Sequence, residues 1–337
     1  MSEQSLSVSL TGAKRRMLPR ISGLWVFTGL IAVMAMMPLF ASSYMLLMLL
    51  PFLAYAITLL GFNLLFGTTG LLSFGHALFL GVGAYTASTL TSKFGILSYE
   101  VILVVSMLVS ALVALVIGAL CVRYTKIFFG MLTLAFGMLF HSFLFKFYFV
   151  TGGDQGMRVL RPLLLGMDFG GGKTGFLIGP FYYYVLGLVA VFGAVMWRIT
   201  ESPFGLHLKA IRENANKAAY VGVQIFRMRL AAFVISAIYG GVGGTILAIT
   251  TGLADPELAY WTHSGNLVFM AVLGGSGTFV GPVVGALAFV TLQDIVMTVT
   301  QYWRFAMGAV LVLLVIFLPQ GISGVFKMLF CRQSGGR

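Results

Sequence analysis

Long apolar stretches recur along this sequence, and charged residues lie only near the ends of each stretch. A segment of about 20 mostly apolar residues is long enough to cross the hydrocarbon core of a bilayer as a helix. The stretches lack the alternation that is typical of membrane β-strands, so helices are expected. The sequence therefore predicts an all-α, polytopic integral membrane protein with about ten transmembrane helices, near 24–41, 44–66, 71–91, 99–122, 127–149, 176–198, 228–251, 258–274, 277–299 and 304–321.

The composition agrees with a membrane protein and excludes a soluble enzyme. Hydrophobic residues make up 59% of the chain and charged residues only 9%, whereas a soluble domain carries about 25% charged residues. The 42 glycines predict helices whose backbones pack closely. Cys121 and Cys331 are too few for a disulfide framework, and both are expected as free thiols on the cytoplasmic side.

The distribution of charge predicts the orientation of the chain. If the N-terminus is cytoplasmic, most of the 21 Lys and Arg residues fall in cytoplasmic segments and the whole net charge of +12 lies on that side, as the positive-inside rule requires. This arrangement predicts cytoplasmic tails at 1–23 and 326–337 and a transmembrane domain at 24–325. Within that domain, a cytoplasmic loop is expected at 200–227 and an outer loop at 150–175.

The predicted span at 258–274 has the weakest apolar pattern. Trp261, His263, Ser264 and Asn266 occupy its first half. Two interpretations therefore stay open, a full span or a re-entrant segment that enters and leaves the membrane on one side.

The centres of the predicted spans contain no Asp, Glu, Lys or Arg. Charged groups in such positions are costly and mark ion sites or proton relays, so an ion-coupled transporter and a membrane-embedded hydrolase are not expected. The four His residues have no metal-ligand spacing, and no catalytic residue, metal or cofactor is predicted. The basic residues are spread over short loops, so nucleic-acid binding is not expected either. If this chain takes part in active transport, the energy must therefore come from another protein. Otherwise the transport is passive.

Two segments carry small residues at helical spacing. The first follows a glycine turn at residues 67–70, and the second begins at Gly274 with the same spacing at an offset of 204 residues. Steps of three and four place such residues on one helix face, against which another backbone can pack. The stripes fit packing alone, or the two halves of an internal repeat that flanks a translocation path. They are Gly70, Ser73, Ala77, Gly81, Ala84 and Ser88, and Gly274, Gly277, Gly281, Gly285 and Ala288.

The loop at 200–227 contains the pattern of a short amphipathic helix. Ser202 suits an N-cap and Pro203 the first helical position. An apolar stripe follows, and most charged residues fall on other faces. Such a helix can lie on the membrane surface against anionic lipid or sit in a groove of a cytoplasmic partner. The stripe consists of Phe204, Leu208, Ile211, Ala215 and Ala218.

The same loop resembles the coupling loop of the branched-chain amino acid ABC importer permeases of the LivM type. The resemblance lies in the residues at 202–205 and 210–214, and three further stretches at 63–85, 151–156 and 272–282 resemble this family in the same order. Together they cover residues 45–325. The sequence departs from the family at His207 and Leu208, where a more basic pair is common, and at Met157, where Leu is usual. Importers of urea and amides share these motifs.

The resemblance implies one of two dissimilar permease subunits of an importer in the bacterial inner membrane, with both termini cytoplasmic. Its expected partners are a second permease subunit, two ABC ATPase subunits and a periplasmic substrate-binding protein. The permease itself is then not an enzyme, because ATP is hydrolysed by its partners. The substrate is expected to be a branched-chain or other hydrophobic amino acid, or a related small solute such as urea or an amide.

Three groups of candidate site residues follow from these motifs and stripes. The ATPase-coupling helix is assigned to Ser202, Pro203, Phe204, Gly205, Leu208, Ala210, Ile211, Arg212, Glu213, Asn214 and Ala218. The translocation path and its helix packing are assigned to Asn63, Gly67, Gly70, Ser73, Gly75, His76, Gly81, Gly83, Tyr85, Gly274, Gly275, Gly277 and Gly281. The outer loop motif is assigned to Thr151, Gly152, Gly153 and Gly156.

Two functions of other classes remain as alternatives to an importer subunit. One is a self-contained channel or facilitator for a small neutral solute, in which the helix at 201–219 rests on lipid. The other is a membrane scaffold without transport.

Overall fold

The computed structural model describes residues 23–167, 172–317 and 321–324 of the chain. The predicted cytoplasmic tails, except Gly23, and Cys331 lie outside these residues. Cys121 is a buried free thiol, as the sequence predicts. Fourteen α-helices occur in the described part of the chain: α1 Gly23–Phe40, α2 Ser43–Asn63, α3 Ala77–Ser92, α4 Tyr99–Cys121, α5 Ile127–Lys146, α6 Tyr148–Thr151, α7 Lys173–Phe176, α8 Tyr182–Glu201, α9 Pro203–Glu213, α10 Ala215–Tyr220, α11 Ile225–Thr251, α12 Trp261–Gly274, α13 Gly281–Val299 and α14 Trp303–Phe317.

Shorter elements join these helices. A π-helical turn, Leu64–Thr68, continues α2, and a second one, Leu177–Phe181, joins α7 to α8. The strands β1, Met157–Arg158, and β2, Leu253–Ala254, pair antiparallel, with Met157 opposite Ala254. Two 3₁₀ turns complete the described structure, Gly153–Gln155 and Pro256–Ala259.

The all-α class is confirmed, but the number of spans is not. Six helical segments of the described chain are long and apolar enough to cross a membrane: Ser43–Thr68, Tyr99–Cys121, Ile127–Lys146, Lys173–Glu201, Ile225–Thr251 and Gly281–Val299. The helices α3, α12 and α14 have 16, 14 and 15 residues, fewer than the roughly 20 residues that a full span needs. The count of about ten spans therefore stays a prediction.

Helix α11 lies at the centre of the bundle, packed against α2, α3 and α4. Glycine backbones make this contact possible. A methyl group added at Gly83 of α3 would overlap the carbonyl oxygen of Gly241, and one at Gly244 would overlap that of Leu80. On the side of α2, a methyl group at Gly243 would overlap the hydroxyl of Thr58. The helices can approach this closely only because these positions have no side chain.

The prediction that each small-residue stripe lies on one helix face is wrong, because Gly70 and Ser73 precede α3, and Gly277 lies between the end of α12 and the start of α13. In the second stripe, Gly274, Gly281 and Gly285 bring α12 and α13 together, whereas Gly277 has no neighbour within 4 Å. The helix starts also repeat, because α3 and α13 begin at 77 and 281, and α4 and α14 begin at 99 and 303. Both pairs are 204 residues apart, the offset between the stripes. This agreement favours an internal repeat in addition to packing.

The bundle has two distinct ends, named here by their elements. The α9 end carries α9, α10 and the turn at residues 67–70; the ribbon end carries β1 and β2. Helix α11 runs from the first to the second. At the ribbon end, the hydroxyls of Ser88 and Ser92 donate to the Arg158 carbonyl at 2.8 and 2.5 Å, and Lys173 Nζ donates to the Thr251 carbonyl at 3.0 Å. The predicted outer loop is thus joined to the ends of α3 and α11.

The contact between α3 and α11 predicts the effect of a single added methyl group. We expect Gly83→Ala to destabilise the protein by about 1–3 kcal/mol, the usual cost of overpacking, because its neighbour is a carbonyl oxygen that cannot rotate away. Gly187→Ala in α8 is the matched control, since no atom lies near its added methyl group. The thermal unfolding midpoints of the purified proteins in detergent measure the difference. Equal midpoints for both variants would contradict the close approach of α3 and α11.

Candidate functional site at the α9 end

The predicted amphipathic helix forms at the expected place but is divided in two. Ser202 has extended backbone and Pro203 takes the first turn of α9, although the Ser202 hydroxyl donates to the Ile199 carbonyl at 2.7 Å instead of capping the helix. Helix α9 ends at Glu213, and the side chain of the next residue, Asn214, accepts a 3.0 Å hydrogen bond from the Lys217 amide and so caps α10. The single helix predicted up to residue 219 is therefore wrong, because an Asn that caps the next turn ends the first helix.

The apolar stripe of α9 and α10 packs on the chain itself. Leu208, Ile211 and Ala218 are buried, and Phe204 and Ala215 are partly buried. Gly205 lets α9 approach the end of α8, because a methyl group there would overlap the Thr200 carbonyl. An amphipathic helix that lies on a bilayer would place its apolar face in the lipid. Here the apolar face is covered by the chain itself. A membrane surface or a partner protein could therefore contact only the opposite, more polar face.

The exposed face of α9 and α10 mixes charged, polar and large apolar residues. Tyr220 and Val221 are 90% and 80% exposed, and Leu206 is 59% exposed. Lys209 forms an ion pair with Glu201 at 3.9 Å, with both side chains about half exposed, so this pair contributes little to stability. The other exposed residues of these two helices and of the joint between them are Pro203, His207, Ala210, Arg212, Glu213, Asn214, Asn216, Lys217 and Ala219.

Arg212 joins α9 to the glycine turn at residues 67–70. Its Nη1 donates a hydrogen bond to the Gly67 carbonyl. Its aliphatic stem lies against Gly70, where an added methyl group would be 2.9 Å from the Arg212 Cγ. Gly70 has a φ of +78°, a conformation that glycine adopts without strain. The Arg212 guanidinium thus hydrogen-bonds to a turn of its own chain.

The turn at residues 67–70 in turn contacts the segment between α12 and α13. Asn63 Nδ2 donates to the Thr278 carbonyl at 3.1 Å, and a methyl group at Gly67 would overlap the Ser276 carbonyl. The Thr278 hydroxyl accepts from the Gly281 amide at 3.0 Å and donates to Ser323 Oγ at 3.0 Å. A continuous series of contacts therefore leads from α9 to the start of α13.

The segment between α2 and α3, residues 69–76, is not helical and is largely buried. Ser73 and His76 are fully buried, and His76 Nε2 lies 3.3 Å from Ser236 Oγ of α11. The rings of Phe62 and Phe79 meet the His76 ring edge-on. Within the hydrocarbon region of a membrane, non-helical backbone is tolerated only where protein surrounds it or where it lines a cavity. In this conformation, protein surrounds it.

Most of the predicted path residues lie in helix contacts instead of an open path. Gly75 contacts Thr133 of α5, and Gly81 contacts Ala259. Gly275 has a φ of +95° and approaches Gly321. Tyr85 is different, because it lines a groove of about 380 Å³ between α3, α4 and α5.

The predicted outer motif shapes the turn that joins α5 to the ribbon. The Thr151 hydroxyl donates to the Leu144 and Phe147 carbonyls at 2.5 and 2.8 Å. Gly152, Gly153 and Gly156 all have positive φ, from 59° to 77°. A side chain at Gly156 would also overlap the Ala254 carbonyl of β2. The motif thus has a visible structural role at the ribbon end.

Two residues of this network were absent from the predicted site. Thr278 lies inside a motif that the sequence analysis identified, and its carbonyl accepts the Asn63 amide. Ser264 is one of the polar residues that weaken the apolar pattern of 258–274, and its hydroxyl accepts the Ala77 amide at 2.9 Å. The available signals were the glycine-rich motif around Thr278 and a polar residue inside an apolar stretch at Ser264.

Comparison with known proteins agrees with this arrangement. The family model of the branched-chain amino acid transport system permease component matches residues 44–316. The high-affinity branched-chain amino acid transport system permease protein LivM of Salmonella typhimurium is 29% identical over 299 residues, which are 83% of this chain and 70% of that protein. LivM of Escherichia coli is 29% identical over 286 residues, 80% of this chain and 67% of that protein.

A more distant relative is the L-arabinose ABC transporter permease protein AraH of Azospirillum brasilense, 25% identical over 177 residues that make up half of each chain. No solved structure matches the chain. The family match covers most of the sequence and includes α9, the glycine turn and α13. The chain therefore belongs to the permease-component family of branched-chain amino acid transport systems, and it is a multi-pass membrane permease of the ABC transporter class.

Proposed function

We propose that this chain is one of two permease subunits of an importer in a bacterial inner membrane, and that separate ATPase subunits drive it. Its substrate is a branched-chain or other hydrophobic amino acid, or a related small solute such as urea or an amide. The names of the two LivM relatives support the amino acid. The observation that carries the proposal is the series of contacts from α9 through Arg212 to both non-helical segments.

In this proposal the α9 end is cytoplasmic and the ribbon end faces a periplasmic binding protein. Both chain termini are then cytoplasmic. Lys209, Arg212, Lys217, Arg227 and Arg229 all lie on or next to α9, α10 and the start of α11. This concentration of positive charge supports the orientation through the positive-inside rule.

The ATPase subunit docks on the exposed face of α9 and α10 in this proposal. The apolar stripe is not available to a partner, because the chain covers it. Tyr220, Val221 and Leu206 are large apolar or aromatic side chains exposed at the end of the bundle. Aromatic residues are enriched where binding energy is concentrated in protein interfaces.

Arg212 transmits movement of α9 to the interior. When a docked ATPase displaces α9, the hydrogen bond to Gly67 moves the turn at 67–70, and with it Asn63 and the segment that follows α12. The π-helical turn Leu64–Thr68 lies directly at this joint, and such turns often occur at functional sites. The two non-helical segments then change position together, so that the path opens alternately to each side.

The first test is the composition of the complex. The tagged chain is purified in mild detergent from its native host and its partners are identified by mass spectrometry. We expect two ATPases and a second permease, and uptake of radiolabelled leucine that is lost when the ATPase genes are deleted. A homo-oligomer without ATPases, with leucine uptake that persists in the deletion strain, would contradict the proposal and favour a self-contained channel.

A substitution on the proposed docking face is expected to release the ATPase subunits from the complex without releasing the second permease. We expect Tyr220→Glu to lower the amount of ATPase recovered with the chain at least tenfold, because it replaces an exposed aromatic side chain of the proposed docking face with a charge, while the second permease is still recovered. Phe94→Glu is the matched control, an exposed aromatic residue at the ribbon end. Equal recovery of ATPase with both variants would show that docking occurs elsewhere.

Arg212 has a different predicted phenotype, because it contacts its own chain. We expect Arg212→Ala to retain the ATPases but to reduce leucine uptake at least tenfold, and Arg212→Lys to restore only part of it, since lysine lacks the planar, forked donor group. Arg198→Ala, an exposed arginine at the end of α8, is the control. Loss of ATPase binding in Arg212→Ala would instead assign this side chain to the docking contact.

A further inference from the structure

Two helices begin near the middle of the bundle. His76, the residue before α3, lies beside Ser236, which is close to the midpoint of the 27-residue α11. From there α3 runs to the ribbon end, where Ser88 and Ser92 bond to Arg158. Helix α3 therefore occupies only the half of the bundle nearer the ribbon.

Helix α12 occupies the opposite half. Near its start, Ser264 accepts the amide of Ala77, the first residue of α3. At its far end, Ser276 lies against Gly67, the residue that Arg212 holds. Its 14 residues give a length of about 21 Å, against about 30 Å for the hydrocarbon core. The first turns of α12 thus lie at mid-depth in the membrane.

One face of α12 is polar and uncovered. Thr262 is exposed, and Gly265 and Asn266 are partly exposed, with Phe269 one turn further on the same face. No atom lies within 4 Å of a methyl group placed on Gly265. Within the described part of the chain, neither the Thr262 hydroxyl nor the Asn266 amide makes a side-chain hydrogen bond. The opposite face, which includes Leu267, is buried.

The outward face of α4 gives a direct comparison. Its exposed side chains are all valine or leucine, and its serines, Ser106 and Ser110, are buried. That face suits lipid. A hydroxyl and an amide without partners cost free energy in hydrocarbon, so the face of α12 does not suit lipid at the same depth.

The polar face continues towards the ribbon end on α5. The His141 ring lies 4.9 Å from the ring of Tyr260, the residue before α12, and Ser142 beside it is exposed. Polar groups therefore extend from the middle of the bundle towards the proposed entry side.

We infer that the face formed by Thr262, Gly265, Asn266 and Phe269 borders the solute path, at the contact with the second permease subunit. This inference rests on the function proposed above. The Asn266 amide and the Thr262 hydroxyl hydrogen-bond to the polar groups of a small amino acid, and Phe269 contacts its apolar side chain. Gly265 leaves room for the solute between them.

Accessibility to a water-soluble reagent tests this placement in the complete complex. Thr262→Cys or Asn266→Cys is introduced into a chain that also carries Cys121→Ala and Cys331→Ala. Right-side-out and inside-out membrane vesicles are then treated with a charged methanethiosulfonate during ATP turnover. We expect both cysteines to react. Leu112→Cys on the outward face of α4 is the control and is expected not to react.

Leucine uptake provides the second measurement. We expect Asn266→Leu and Thr262→Val to reduce uptake at least tenfold with unchanged recovery of ATPases and second permease, whereas Thr291→Val, an exposed threonine of α13, leaves uptake unchanged. Unreactive cysteines at 262 and 266, or reactivity equal to that at 112, would overturn the inference. Because labelling does not depend on which solute is carried, reactive cysteines in a complex whose unsubstituted form takes up no leucine would exclude leucine as the solute and leave the path in place.

Discussion

The close backbone contact between α11 and α3 is the constraint on which the rest of the structure depends. Gly83 and Gly241, with Gly244 and Leu80, bring the two helices together without intervening side chains. Apolar attraction between helices is weak in lipid, so such contacts and interhelical hydrogen bonds provide most of the association. The position of α3 then fixes His76 against Ser236 and Ala77 against Ser264, and so determines where the non-helical segment and α12 lie.

The sequence predicts the helical class because apolar length and missing charge identify membrane helices well. It does not predict that α3 is short, and for the segment that contains α12 it leaves a full span and a re-entrant segment open. Residues 71–76 lead without a charged residue into the apolar helix α3, and hydropathy alone does not show that their backbone is not helical. Gly70 indicates a turn, but it does not indicate how many residues separate that turn from the start of α3 at Ala77.

The sequence predicts where the amphipathic helix lies but not what its apolar face contacts. The stripe through Phe204, Leu208 and Ile211 indicates an amphipathic helix, yet periodicity cannot tell whether the covering surface is lipid, a partner or the chain itself. The same limit applies to Arg212, whose charge suggests an external contact although its partner is the Gly67 carbonyl. The spacing of the stripe also continues without a break past Asn214, to Ala215 and Ala218. Periodicity therefore gives no sign that α9 ends there.

The hydrogen bonds at the ribbon end have a mechanical consequence. There, side chains from α3, the loop after it and α7 bond to backbone carbonyls of the neighbouring segments. At the α9 end, α9 itself is attached to the turn at 67–70 through Arg212 and is otherwise held by packed apolar side chains. In the proposed coupling, displacement of α9 by a docked partner moves residues 67–70 through Arg212, whereas the backbone next to Gly252 is anchored by the ribbon-end hydrogen bonds.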